Sequence, residues 1–174
     1  MMLWPNSPEA GFDDPLAMLA ACHERIARHC DTLERLAAHI EQMGIDEDAR
    51  VAAAQVLKYF STAAPDHHAD EEQDLFPRLR SHPEWRQEEE DMLLRLATEH
   101  REQDAAWISL RPGLEDIAQG RLPPQPLPVA RFVELQRSHL EFENRHLLPL
   151  ARRVLNVQDL RDMGHAMRAR RGLG

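Results

Sequence analysis

Two stretches of this chain set an imidazole and a carboxylate four residues apart: HHADEEQDLFP at 67–77 and HLEFENRHLLP at 139–149. Both fit the frame His-x-x-x-Glu-x-x-x-Leu-apolar-Pro, and the copies stand 72 residues apart. On a helix, residues i and i+4 share a face, so His67 with Glu71 and His139 with Glu143 each aim two donor groups at one point. Carboxylate and neutral imidazole are good ligands for iron, manganese or zinc. The repeated frame therefore points to metal binding, with the job done from two sides or by an internal duplication.

Two more histidines stand on apolar stripes. His23 follows Leu19 by four and precedes Ile26 by three, and His100 follows Leu96 by four and precedes Trp107 by seven. If one turn centres near Ile45, His23 lies 22 residues before it and His67 lies 22 after. If the next centres near Glu84, His100 lies 16 beyond it and His67 lies 17 before. Helix ends near residues 110 and 129 put His100 and His139 each about ten residues from their connection. All four levels then match to within about one helical turn, roughly 5 Å. A lone inward histidine is more often a hydrogen-bonded core residue, and a lone His-x-x-x-Glu a surface pair. Six ionisable groups buried at one level, however, cost several kcal/mol or more unless something neutralises them. Metal ions remove that cost. Six ligands are more than one ion with an open position would use, so two ions are expected.

The elements that must carry these residues are helical. One helix is expected from about Pro15 to Met43, with Asp13 or Asp14 as cap and Gly44 as stop. A second runs from Asp46 to about Arg80, with a kink or short break at Pro65, just before His67. A third starts near Glu84 or Glu88 and ends at Leu110, where the Pro112-Gly113 pair opens a long loop to Pro128; LEDIAQ inside that loop could form one helical turn. A fourth spans Val129 to Leu155, and QDLRDMGHAMRARR forms a short closing helix at about 157–171. The order gives an all-α, up-down-up-down four-helix bundle in one domain of 1–174, with its core at about 13–155.

Composition agrees and excludes several functions. Seven glycines and few β-branched residues favour helix over sheet. A formal net charge of −9 argues against a nucleic-acid partner. No apolar run approaches a membrane span, and MMLWPNSPEAGFDDP lacks the basic and apolar regions of a signal peptide, so a cytoplasmic location is expected. Cys22 and Cys30, eight apart on one helix, are too distant to bridge. No nucleophile–base pair or phosphate loop appears.

Taken together, His23, His67-x-x-x-Glu71, His100 and His139-x-x-x-Glu143 resemble the pattern of the hemerythrin-like (HHE cation-binding) domain family, and the likeness covers nearly the whole chain. The resemblance implies a non-haem di-iron centre with an oxo or hydroxo bridge. A histidine from each helix would bind iron, and Glu71 and Glu143 would bridge the pair. Manganese and zinc are the alternative metals. One position departs from the oxygen-carrying members: four residues after His100 stands Asp104, where they have a further histidine. Asp104 could ligate, orient an imidazole, or leave a coordination place open. The expected function is to bind, sense or react with small oxidants, a diatomic such as O2 or NO, or peroxide. The alternatives are an iron store or donor, and a bundle that metal merely holds together.

Other residues are set aside. His29 stands about 9 Å from the His23 level. His68, one position round from His67, reads as solvated surface. Glu143 and His146 form the only Glu-x-x-His in the chain, where ferritin-like sites need two. Tyr59 reads as core or boundary, Phe60 and Trp107 as a dry lid over the pocket, and Cys30 as a small core residue.

Overall fold

The computed structural model describes residues 11–83 and 85–173. The leader reading of residues 1–10 and the turn centre placed at Glu84 lie outside them. Helix α1 spans Pro15–Met43; the Asp14 carboxylate caps it by accepting from Ala17 N–H, and Gly44 ends it at φ 79°. Helix α2 spans Glu47–Ala69 and is capped by Asp46. A π-helical segment, Asp70–Leu75, joins it to α3, Phe76–Arg80. Helix α4 is Gln87–Ala118 and α5 is Val129–Phe142. A second π segment, Glu143–Leu147, leads into α6, Leu148–Val154, and α7 closes at Val157–Arg170. No strand occurs among the described residues, and none of their helices is long and apolar enough to cross a membrane. Helix α1 packs on α2 and α5, and α4 packs on the same two, which makes the expected four-helix bundle.

The expected break at Pro65 and the expected helix end at Leu110 need correction. Helix α2 runs unbroken through Pro65. The buried stripe Val56, Phe60, Ala64 and His67 continues straight across it, and that packing outweighs the roughly 3 kcal/mol that an internal proline costs. The break falls instead at the π segment, after His67. Likewise α4 does not stop at Leu110 but carries Pro112 and Gly113 inside it to Ala118, absorbing most of LEDIAQ. Leu110, Leu114 and Ile117 are fully buried at helical spacing. Gly113 has a packing reason, since a Cβ there would overlap the Leu127 side chain.

The apolar interior is split in two. One cluster holds Ile26, Cys30, Phe60, Leu110 and Phe132, and the other holds Leu19, Leu75, Phe76, Leu96 and Leu147. Helix α7 seals the second cluster with Met163 and Met167. Gly164 lets it approach the Phe12 backbone oxygen more closely than any Cβ would allow. Between the two dry clusters the stripes of α1, α2, α4 and α5 change from apolar to His23, His67, His100 and His139 at one level. Cys22 and Cys30 are free and buried.

Candidate metal centre

Six buried side chains meet in that polar layer: His23, His67, Glu71, His100, His139 and Glu143. They form two tetrads, His23–His67–Glu71–Glu143 and Glu71–His100–His139–Glu143, with donor atoms in each within 4.8 Å of one another. The two carboxylates belong to both. Glu71 turns Oε1 towards the first pair, 3.7 Å from His23 Nε2 and 3.5 Å from His67 Nε2, and Oε2 towards His100 Nε2 at 3.3 Å. Glu143 does the reverse, with Oε2 3.1 Å from His23 Nε2 and Oε1 3.2 Å from His139 Nε2. One oxygen of each glutamate thus serves each histidine pair. That is the arrangement a carboxylate needs to bridge two cations.

The π segments put the glutamates there. In each copy of the frame the residue five after the glutamate donates its N–H to the glutamate's own carbonyl: Phe76 to Glu71 and Leu148 to Glu143. π-Bulges concentrate at functional sites, where one extra residue re-aims a side chain. The first segment is also clamped from outside. Asp70, fully buried, accepts from both Arg170 and Arg171 at the end of α7, the latter at 2.6 Å, and Asp74 accepts from Arg170 at 2.7 Å.

Residues that do not reach the centre hold its imidazoles from behind. His23 Nδ1 lies 2.7 Å from Asn144 Oδ1, His100 Nδ1 2.6 Å from Glu72 Oε1, and His139 Nδ1 2.8 Å from Glu99 Oε2. Each outer oxygen is an acceptor, so each Nδ1 carries a proton, and a ring that is neutral then leaves its Nε2 lone pair facing inward. His100 Nε2 and His139 Nε2 then face each other at 3.1 Å. Two bare lone pairs at that distance repel unless a cation or proton lies between them. Moreover, His23 Nε2, both nitrogens of His67 and all four oxygens of Glu71 and Glu143 are buried without a hydrogen-bond partner. Groups left unpaired in that way cost free energy that metal coordination would recover. The donor set and its orphaned atoms fit a pair of cations.

Without metal, the pocket manages its charge with protons. Burial opposes charge on His23, but Glu143 and Glu71 beside it raise its pKa to about 10. His139 is also raised to about 10, its burial outweighed by Glu143, Glu99 and Glu71. His100 is raised against its burial, chiefly by Glu71. His67 goes the other way, pushed by burial to about 3. Glu143 is buried beside the Glu71 charge, yet His139 and His23 draw it down to about 2.

The residues set aside from sequence fall into place with one correction. His29 stacks on Tyr59 with ring centres 4.2 Å apart, away from both tetrads. His68 is not solvated surface. Its ring is stacked on His100 at 4.1 Å, and its Nε2 lies 3.1 Å from Gln103 Oε1. The α2–α4 packing covers the face that a lone helix would leave to water. Asp104 joins neither tetrad; its carboxylate is 69% exposed and lies 3.8 Å from His68 Nδ1. Phe60, Trp107 and Phe132 do form an aromatic wall, and with His68, Gln103 and Asp104 they line a cavity of about 240 Å³. Asn144, Glu72 and Glu99 were not foreseen. The one available signal was chemical: a ligand imidazole needs an acceptor for its other nitrogen.

Comparison with known proteins agrees with this geometry. Residues 14–151 match the Hemerythrin HHE cation binding domain. The chain is also similar to an uncharacterised protein of Haemophilus influenzae, 32% identical over 163 residues, which cover 93% of this chain and 92% of that protein.

Proposed function

The chain belongs to the hemerythrin HHE cation-binding family, and from that premise we propose that it holds two iron ions and uses them to bind, sense or react with small oxidants. His23 and His67 would hold one ion and His100 and His139 the other, with Glu71 and Glu143 shared between the two. The observation that carries this reading is the sharing of both carboxylates, one oxygen to each histidine pair. A single structural ion has no use for that symmetry.

Bound iron would supply the electron transfer that chemistry with a small oxidant requires. The chain's residues supply the rest. The two apolar clusters keep bulk water from the layer. Asn144, Glu72 and Glu99 hold the imidazoles in one tautomer. The cavity beside His68 has room for a diatomic or a peroxide, given that a water takes about 30 Å³ of liquid. Asp104, exposed on that wall beside His68, stands outside both tetrads and is not counted among the ligands.

The test has two stages. Protein prepared with ample iron should contain close to two equivalents; one tightly held zinc instead would end the di-iron reading. The iron-loaded protein is then reduced without air and exposed to O2, NO or peroxide while its visible spectrum is recorded. A charge-transfer band that appears and responds to one of these supports handling of oxidants. Indifference to all three favours a metal that only holds the bundle together. Iron stripped quickly by a chelator, with the fold intact, favours a store or donor.

A further inference from the structure

The four imidazoles are backed unequally. His100 and His139 each direct Nδ1 at a carboxylate, Glu72 at 2.6 Å and Glu99 at 2.8 Å. His23 directs its Nδ1 at a neutral amide oxygen, Asn144 Oδ1 at 2.7 Å, and His67 Nδ1 has no hydrogen-bond partner at all among the described residues. An imidazole whose N–H leans on a carboxylate carries more electron density on its other nitrogen and is the better donor to a cation. Glu71 and Glu143 serve both positions, so their effect cancels in the comparison. What remains is two charged backings on one side and none on the other.

We infer that the two metal positions are unequal, the His100–His139 position binding its ion more tightly because Glu72 and Glu99 stand behind it. This rests on the two-metal reading above. Loading is then ordered: the first ion enters the carboxylate-backed position, and the His23–His67 position fills at higher metal concentration and empties first. Arg95 also donates to Glu99, at 2.7 Å, and takes up part of its charge, whereas Glu72 has no such rival among its described contacts but is the more exposed of the two. Glu72 and Glu99 are positioning residues, since neither touches the metal. Removing such an outer partner typically lowers metal affinity about 10- to 100-fold.

The experiment is an anaerobic titration of metal-free protein with ferrous iron in competition with a ferrous chelator, together with calorimetry. The wild-type chain should show two steps whose dissociation constants differ by about tenfold or more. Mutual repulsion could also split two identical positions, so variants assign the steps. His67→Ala should keep the tight step and His139→Ala should lose it. Glu72→Gln and Glu99→Gln keep an acceptor oxygen but lose its charge, and should weaken the tight step about tenfold or more while leaving the weak step within about twofold. Both side chains are partly exposed, 43% and 21%, and melting of each metal-free variant checks that it folds as wild type. Asn144→Asp places a carboxylate behind His23 and should tighten the weak step, a gain that misfolding cannot produce. Two ions bound equally, or glutamine variants that act on both steps alike, overturn this inference and leave the two-metal reading standing. Binding of a single ion by wild-type protein removes both.

Discussion

Loading the centre should expel protons, and their number follows from what the pocket holds beforehand. Glu71 and Glu143 are fully buried side by side, and the metal-free pocket answers them with charge on His23 and His139, both raised to about 10. His67, pushed down to about 3, is already neutral. At neutral pH the empty pocket therefore carries at least two protons, with a third where His100, also raised, is charged. A ligating imidazole must be neutral. Binding of two ions should release about two protons, and each adds a factor of about ten per pH unit to the overall affinity. The product of the two binding constants should then climb about a hundredfold per unit through the neutral range and flatten only near pH 10. Stability follows with a definite sign. A histidine whose folded pKa is raised stabilises fully below its ordinary value near 6.5, and that stabilisation fades as pH rises towards about 10. The metal-free protein should therefore lose melting temperature across that window, and the gain on loading should widen over it. A pH-indicator dye in weak buffer counts the protons, and calorimetry in two buffers of different ionisation heat checks the count. Two ions taken up at neutral pH with no proton released would refute this account of the empty pocket.

Other perturbations discriminate further. His67→Ala and His139→Ala should each lower metal content and melting temperature, whereas His29→Ala, lying outside both tetrads, should keep two equivalents; metal analysis beside a thermal melt decides. Replacing Arg170 and Arg171 together with methionine leaves the buried Asp70 charge unpaired, a loss of about 3 kcal/mol, which for a chain of this size is a fall of roughly 10 °C. An unchanged melt would mean that the α7 clamp on the first π segment is dispensable. Gly164→Ala should force α7 away from the Phe12 carbonyl and destabilise by about 1–3 kcal/mol, read by denaturant unfolding; a stabilised protein would show that α7 has room to shift.

What could be read from the chain before folding was whatever depends on one helix at a time. The ends of α1 follow from Asp14 and Gly44, and the inward stripes of α1, α2, α4 and α5 place His23, His67, His100 and His139 at one level. What escaped depends on a neighbour. Pro112 and Gly113 look like a helix end until Leu127 is seen filling the space the glycine leaves. His68 looks solvated until α4 brings His100 and Gln103 against it. Asn144 reaches a histidine 121 positions away and Glu99 one 40 away. Nothing local to ENRHL or ATEHRE distinguishes such residues from ordinary helix surface.

The tail of the repeated frame is explained by the same dependence. The histidine and glutamate at i and i+4 suffice to ligate, so the Leu-apolar-Pro that follows in both copies needs another reason. Pro77 and Pro149 cannot donate to the helix ladder, and each ring would strike the carbonyl four residues back in a regular α-helix. In both copies the chain widens instead into a π turn that ends just before the proline, so the proline falls in the first turn of the resumed helix, where a missing donor costs least. The extra residue lets the segment bury Glu71 or Glu143 in the polar layer while the next apolar residues, Leu75 and Phe76 or Leu147 and Leu148, enter the dry cluster below. A regular helix through either proline would bring back the clash and turn those apolar residues out of phase with the core. The frame therefore encodes two things at once, a pair of candidate ligands and the backbone irregularity that seats them, and both occur twice because the polar layer is built from two sides.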